Sequence, residues 1–117
     1  MKNQAFRRRL SYARAGIVEA LKRENSVKTQ VVLALVAVLA LLVLRPALVW
    51  WALVGVMIVL VLAAELFNTA IEELCDLVQP QSDPRVKRIK DVAAGAVLLL
   101  SVGALWVAVL MLFSVVD

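Results

Sequence analysis

Three long apolar runs, each bounded by polar residues, set the plan of the chain. Val31–Leu44 is unbroken (VVLALVAVLALLVL), and neither Ala47–Ala64 nor Val92–Val116 contains a charge. A bilayer's hydrocarbon core is about 30 Å thick and takes about 20 residues of helix to cross. Val31–Leu44 alone is short for that, so Val27–Gln30 extend it, with Lys28 snorkelling toward the headgroups. Membrane spans are therefore predicted over 28–44, 47–78 and 91–116. Arg45-Pro46 makes the first turn, with Pro46 at an early position of the second helix. Trp50 and Trp51 stand near that end as interfacial anchors. Ahead of the first span, Phe6, Leu10, Ala13, Ile17 and Leu21 recur at steps of three and four, the helical period. Basic residues fill the positions between them. That pattern predicts an amphipathic helix over 1–29 lying in the membrane interface, with a break at Glu24-Asn25-Ser26. Residues 79–90 contain Pro80 and Pro84 and read as a loop. Ala93-Ala94-Gly95-Ala96 offers small residues for the close approach of another helix. The expected fold class is all-α integral membrane, one domain over 1–117: an amino-terminal amphipathic interfacial helix plus three transmembrane helices.

The second run does not end its helical pattern at Ala64. Polar residues take over one side of it. At about 100° per residue, Asn68, Glu72 and Asp76 fall within about 60° of Glu65, with Thr69 beside them. Continued to Val78, this helix is about 45–50 Å long, more than the hydrocarbon core, so the polar end is expected to project into water. Glu65, Glu72 and Asp76 repel one another unless a cation, a phosphate-bound metal or basic side chains sit among them. Spacing alone fits a solvated helix end as well as it fits such a site.

Composition sharpens the membrane reading. The 117 residues are 63% hydrophobic, against about half in a soluble domain, and the mean hydropathy is +0.91. The net charge of +4 suits anionic lipid or phosphate. It does not suit nucleic acid, because the basic residues flank apolar spans and no aromatic residues interleave with them. The absence of His excludes a His-based triad or metal site within one chain, and the single Cys75 excludes an internal disulfide. No cleavable signal pattern is expected in the basic first thirty residues. Of the 13 Lys and Arg, all but Arg45 lie before residue 31 or between 85 and 90. The positive-inside rule then puts the amino terminus and the 79–90 segment in the cytoplasm. The column, Glu24 and Lys90-Asp91 share that face, where nucleotides are available.

Carboxylates, an amide and Lys or Arg, without a Ser-His pair, fit phosphoryl transfer. A magnesium site needs one or two carboxylates and borrows its other oxygens from phosphate and water. A further carboxylate can take the proton from an attacking hydroxyl, and Lys can neutralise phosphate charge. The four glycines, at 16, 55, 95 and 103, form no P-loop. Spacing does not name the reaction.

Two stretches do more. Ala64-Glu65-Leu66-Phe67-Asn68-Thr69-Ala70-Ile71-Glu72, followed by Asp76, resembles the signature of the prokaryotic diacylglycerol kinase family, and so does Ile89-Lys90-Asp91-Val92-Ala93-Ala94-Gly95-Ala96-Val97. Their separation matches as well, and the resemblance covers nearly the whole chain. It implies a small lipid kinase of the bacterial cytoplasmic (inner) membrane, a homotrimer with composite sites shared between neighbouring subunits. It also implies Mg2+, ATP and a membrane lipid alcohol, diacylglycerol or undecaprenol, as acceptor. By the same resemblance Glu65 is expected as catalytic base, and Glu24 and Glu72 as the metal-holding carboxylates. Asn68 and Asp76 match supporting polar positions on the nucleotide side. Lys90, Asp91 and Tyr12 match nucleotide contacts, and Gln81, Ser82 and Asp83 fall in the nucleotide-contact region. Gln30 stands where the enterobacterial diacylglycerol kinases have an acidic residue, and no role is assigned to it. The motif wording reads more like the undecaprenol kinase branch. Two rivals have other chemistry. A small multidrug-type transporter needs a carboxylate within a span and usually four spans. A non-catalytic membrane subunit would not require the column.

Overall fold

The computed structural model describes residues 3–116; residues 1, 2 and 117 of the expected domain lie outside it. Four helices follow one another: α1 (Phe6–Arg23), α2 (Asn25–Leu44), α3 (Leu48–Val78) and α4 (Pro84–Val116). By length and composition α2, α3 and α4 can each cross a membrane. They run alternately up and down, so the start of α2, the end of α3 and the start of α4 share one end of the bundle.

Each connection has a local cause. Glu24 is extended (φ −103°, ψ 117°), yet its N–H bonds to the Ala20 carbonyl and its own carbonyl accepts from Lys28 N–H. It closes α1 and opens α2 with one residue, so the chain bends without orphaning the backbone groups on either side. Arg45 takes a left-handed conformation (φ 48°) and donates its N–H to Leu41 O at 3.0 Å. That conformation caps a helix end and usually goes to Gly or Asn. Pro46 follows outside both helices, rather than opening the second as the sequence predicts, and α3 starts at Leu48.

The third connection departs most from the predicted chain plan. The segment 84–90, expected as loop, is helical. Asp83 Oδ1 accepts the backbone N–H of Arg85 at 2.8 Å. This is an N-cap: the side-chain oxygen satisfies one of the free N–H groups of the first turn. Pro84 then sits at the first helical position, where a missing N–H costs nothing and its fixed φ is already helical. Pro84 starts a helix here; only Pro80 lies in the short link 79–83.

α3 is the hub. It packs most extensively on α4, then on α2, and α1 touches both α2 and α3. Val54, Val61, Glu65 and Cys75 are its buried residues. Their spacing keeps them on one stripe of the helix, and the polar column continues that stripe. At Gly103 of α4 an added Cβ would meet Met57 Cε of α3 at 3.3 Å. At Gly95, in the predicted small-residue patch, nothing lies within 4 Å of that position. Most of the remaining apolar surface is open: Leu35, Val43, Leu48, Leu99 and Trp106 are all exposed.

Candidate active site

Glu65 is the one charged residue buried among the described residues, at 5% exposure. A charge taken out of water is costly unless something answers it. The partner is Gln30 of α2, whose Nε2 donates to Glu65 Oε1 at 3.3 Å. The two residues lie about equally far on either side of the Arg45 turn, so antiparallel pairing of α2 with α3 brings them level. Glu65 Oε2 carries no hydrogen bond among the described residues, and it is not among the buried atoms left without a partner. It is therefore not fully sealed from the surface.

One turn toward the polar end, Asn68 Nδ2 donates to Glu72 Oε1 at 2.6 Å. This is the (i, i+4) neighbour contact of a helix surface, and it fixes which way the exposed Glu72 carboxylate turns. Asn68 Oδ1 is buried with no partner. Turning the amide over would face this oxygen toward a carboxylate, so the orientation with the donor on Glu72 is the favourable one. Another turn on, Lys90 Nζ meets Asp76 Oδ1 at 2.7 Å. This ion pair ties the start of α4 to the end of α3 and sets an amine beside the column. Asp91 is paired with Lys87 at 2.7 Å. Asp83 is occupied by Arg85, with Oδ2 to Nη2 at 2.9 Å. That guanidinium, helped by the Arg85 N–H, holds the Asp83 carboxyl below the usual carboxylate range.

Glu24 is placed differently. It lines a groove between α1 and α3 with Ala63, Leu66, Phe67, Ala70 and Glu73. On the helical wheel that face of α3 is turned well away from Glu72. Thr69, which stands beside the column, also lines this groove, and Glu72 does not. No group of three acidic, His or Cys side chains converges on one point among the described residues. Tyr12, on α1, enters no hydrogen bond among them and is 42% exposed.

The donors nonetheless fit a hard cation carried by phosphate. Glu72 keeps one carboxylate oxygen unengaged, and Asn68 Oδ1 is an orphan acceptor one turn away. Magnesium takes oxygen ligands, few of them from protein. In order along α3, the arrangement offers a buried carboxylate with one open oxygen, an amide-steered carboxylate and a carboxylate carrying an amine. Gln30, to which the sequence assigned no role, is brought to the site by its contact with Glu65. Its signal was positional, at the residue level with Glu65 across the turn, and it becomes readable only once α2 and α3 are paired.

Comparison with known proteins covers all of these residues. Residues 11–112 match the family model of prokaryotic diacylglycerol kinase. The chain is also 30% identical over 91 residues to the undecaprenol kinase of Bacillus subtilis (strain 168), a match covering 78% of this chain and 74% of that one. Tyr12, Glu24, Glu65, Asn68, Glu72, Asp76, Lys90 and Asp91 all fall inside the family match.

Proposed function

The chain belongs to the prokaryotic diacylglycerol kinase family and is a membrane lipid kinase; on that premise we propose that it transfers the γ-phosphoryl group of ATP to the primary hydroxyl of a membrane lipid, with Mg2+ as the metal. Glu65 receives the hydroxyl proton as the lipid oxygen bonds to the γ-phosphorus. The bond from that phosphorus to the β–γ bridging oxygen breaks, and ADP leaves. Magnesium, when bound, neutralises charge on the phosphate oxygens. Glu72 and Glu24 are the residues that would hold it, with Asn68 steering Glu72. Tyr12 and Asp91 contact nucleotide.

The observation that carries this reading is the Lys90–Asp76 contact at 2.7 Å. It sets an ammonium at the watery end of a helix whose other polar end is the buried Glu65. An ammonium has three donors. One is spent on Asp76, and the others are free to meet phosphate. The hydroxyl is accepted at the lipid end and the triphosphate at the water end.

Glu24, which lines an α1–α3 groove that Glu72 does not line, completes the site of a neighbouring copy, and the assembly is a homotrimer with shared sites. α1 lies in the interface with Phe6, Leu10 and Ile17 toward lipid. The bundle end bearing the column faces the cytoplasm, since the basic residues cluster there. The acceptor is undecaprenol rather than diacylglycerol. This is supported by the motif wording and by the Bacillus relative, which is named for that lipid. Turnover of the two lipids in mixed micelles, at matched surface concentration, tests it. Faster phosphorylation of undecaprenol is expected. Faster phosphorylation of diacylglycerol would reverse the acceptor, and phosphorylation of neither would remove the kinase reading.

A further inference from the structure

We infer that Gln30 is a positioning residue, one that holds the Glu65 carboxylate by one oxygen and leaves the other free for the substrate proton. The inference rests on the proposed role of Glu65 as base. Its ground is geometric. Gln30 Nε2 reaches Glu65 Oε1 across two helices, and no other hydrogen bond among the described residues touches this carboxylate. Oε2 has no partner and is not sealed in. An unrestrained carboxylate turns about its last bond and exchanges its two oxygens. A donor on one of them removes that freedom, and positioning of this kind is part of what makes a general base effective. At 3.3 Å the bond is long, as hydrogen bonds at catalytic groups commonly are before substrate tightens them.

The residue type matters as much as the place. A neutral amide donates without bringing charge. A second carboxylate at this position would repel the first or share its proton. Gln30 also lines the polar end of an apolar groove that continues past Leu33, Ala37, Val61 and Ser101. Gln30 thus borders this apolar groove, which neither Glu72 nor Lys90 lines. Loss of the amide should therefore touch the chemical step and leave the nucleotide end alone.

A double-mutant cycle in the full-length, lipid-reconstituted enzyme tests this. Gln30→Met keeps the length of the side chain and deletes the donor. Turnover with radiolabelled ATP would be measured for Gln30→Met, Glu65→Gln and the double variant. Gln30→Met is expected to lower kcat about ten- to hundredfold, the range that a hydrogen bond to a charged group commonly carries, with KM for MgATP unchanged. In the Glu65→Gln background it is expected to lower the residual rate no further, because the carboxylate it positions is gone. An equal loss in both backgrounds, or no loss in the wild type, overturns the inference while leaving the base in place. Full activity of Glu65→Gln alone overturns the base itself, and the positioning role with it. If Gln30→Met does not assemble, Gln30→Asn, one methylene too short to reach Oε1, is read through the same cycle with the same outcomes.

Discussion

Glu65 is 5% exposed, and Glu72, seven residues further along the same side of α3, is exposed. Two helical turns part them, about 10 Å along the axis, so they cannot serve one small atom. In the proposed division the buried acid meets what arrives from lipid, and the exposed one meets what arrives from water. Under the proposed division Glu65→Gln removes the proton acceptor, and kcat should fall by a factor of about 10² to 10⁴ while MgATP affinity stays near the wild-type value. Glu72→Gln should weaken MgATP affinity, and raised magnesium should restore part of it. Nucleotide affinity and turnover across a magnesium series check both variants. Loss of nucleotide binding in Glu65→Gln, with normal binding in Glu72→Gln, would exchange the two roles. Both acids were legible in the sequence, because a helix writes its faces at a fixed period. Gln30 was not. Its partner is 35 residues away, and only the pairing of α2 with α3 tells which residue of one helix stands level with which of the other.

α4 shows why element boundaries are harder to read than element cores. Pro80 and Pro84 look alike as helix stoppers, but Pro84 follows Asp83, which caps the first turn. The basic stretch of Arg85, Lys87, Arg88 and Lys90 thereby becomes helical, and this gives Lys90 its fixed direction toward Asp76. Asp83→Ala should speed amide hydrogen exchange over residues 85–87 and leave KM for MgATP unchanged. An unchanged exchange rate with a raised KM would instead mark Asp83 as a nucleotide contact. Acid should act like the mutation. The Asp83 carboxyl is held below its usual value, so its contribution to folding is complete above the unfolded carboxylate value, near 3.8. That contribution is lost as pH falls through the lower folded value. Between neutrality and about pH 5 the exchange rates of this turn, corrected for intrinsic rates, should not change on this account.

The molecule as a whole is underburied. Its accessible surface is 8980 Å², whereas a compact soluble protein of this mass exposes roughly 6,300 Å². The apolar exposure on α2, α3 and α4 is what a bilayer or further copies of the chain must cover. Three spans were legible because apolar runs between charges are unambiguous at this length. The partition of the acids was not, since a helical wheel gives angles on one helix and says nothing about where α1 docks. Glu24 lines an α1–α3 groove that Glu72 does not line, and the proposed sharing of sites would join them through neighbouring copies. Mixing Glu24→Gln subunits with Glu65→Gln subunits, each inactive alone, should regenerate part of the wild-type turnover, because some mixed sites then hold both intact acids. No recovery in oligomers shown to be mixed would mean that each chain works with its own acids. Within any one chain, a single uninterrupted helix carries Glu65, Asn68, Glu72 and Asp76. That helix is a ruler cut in peptide units. Under the proposed roles it fixes how far below the water line a hydroxyl must float to be taken, whatever hangs beneath it. One residue inserted between Glu65 and Glu72 would keep both acids and still swing them about 100° out of line.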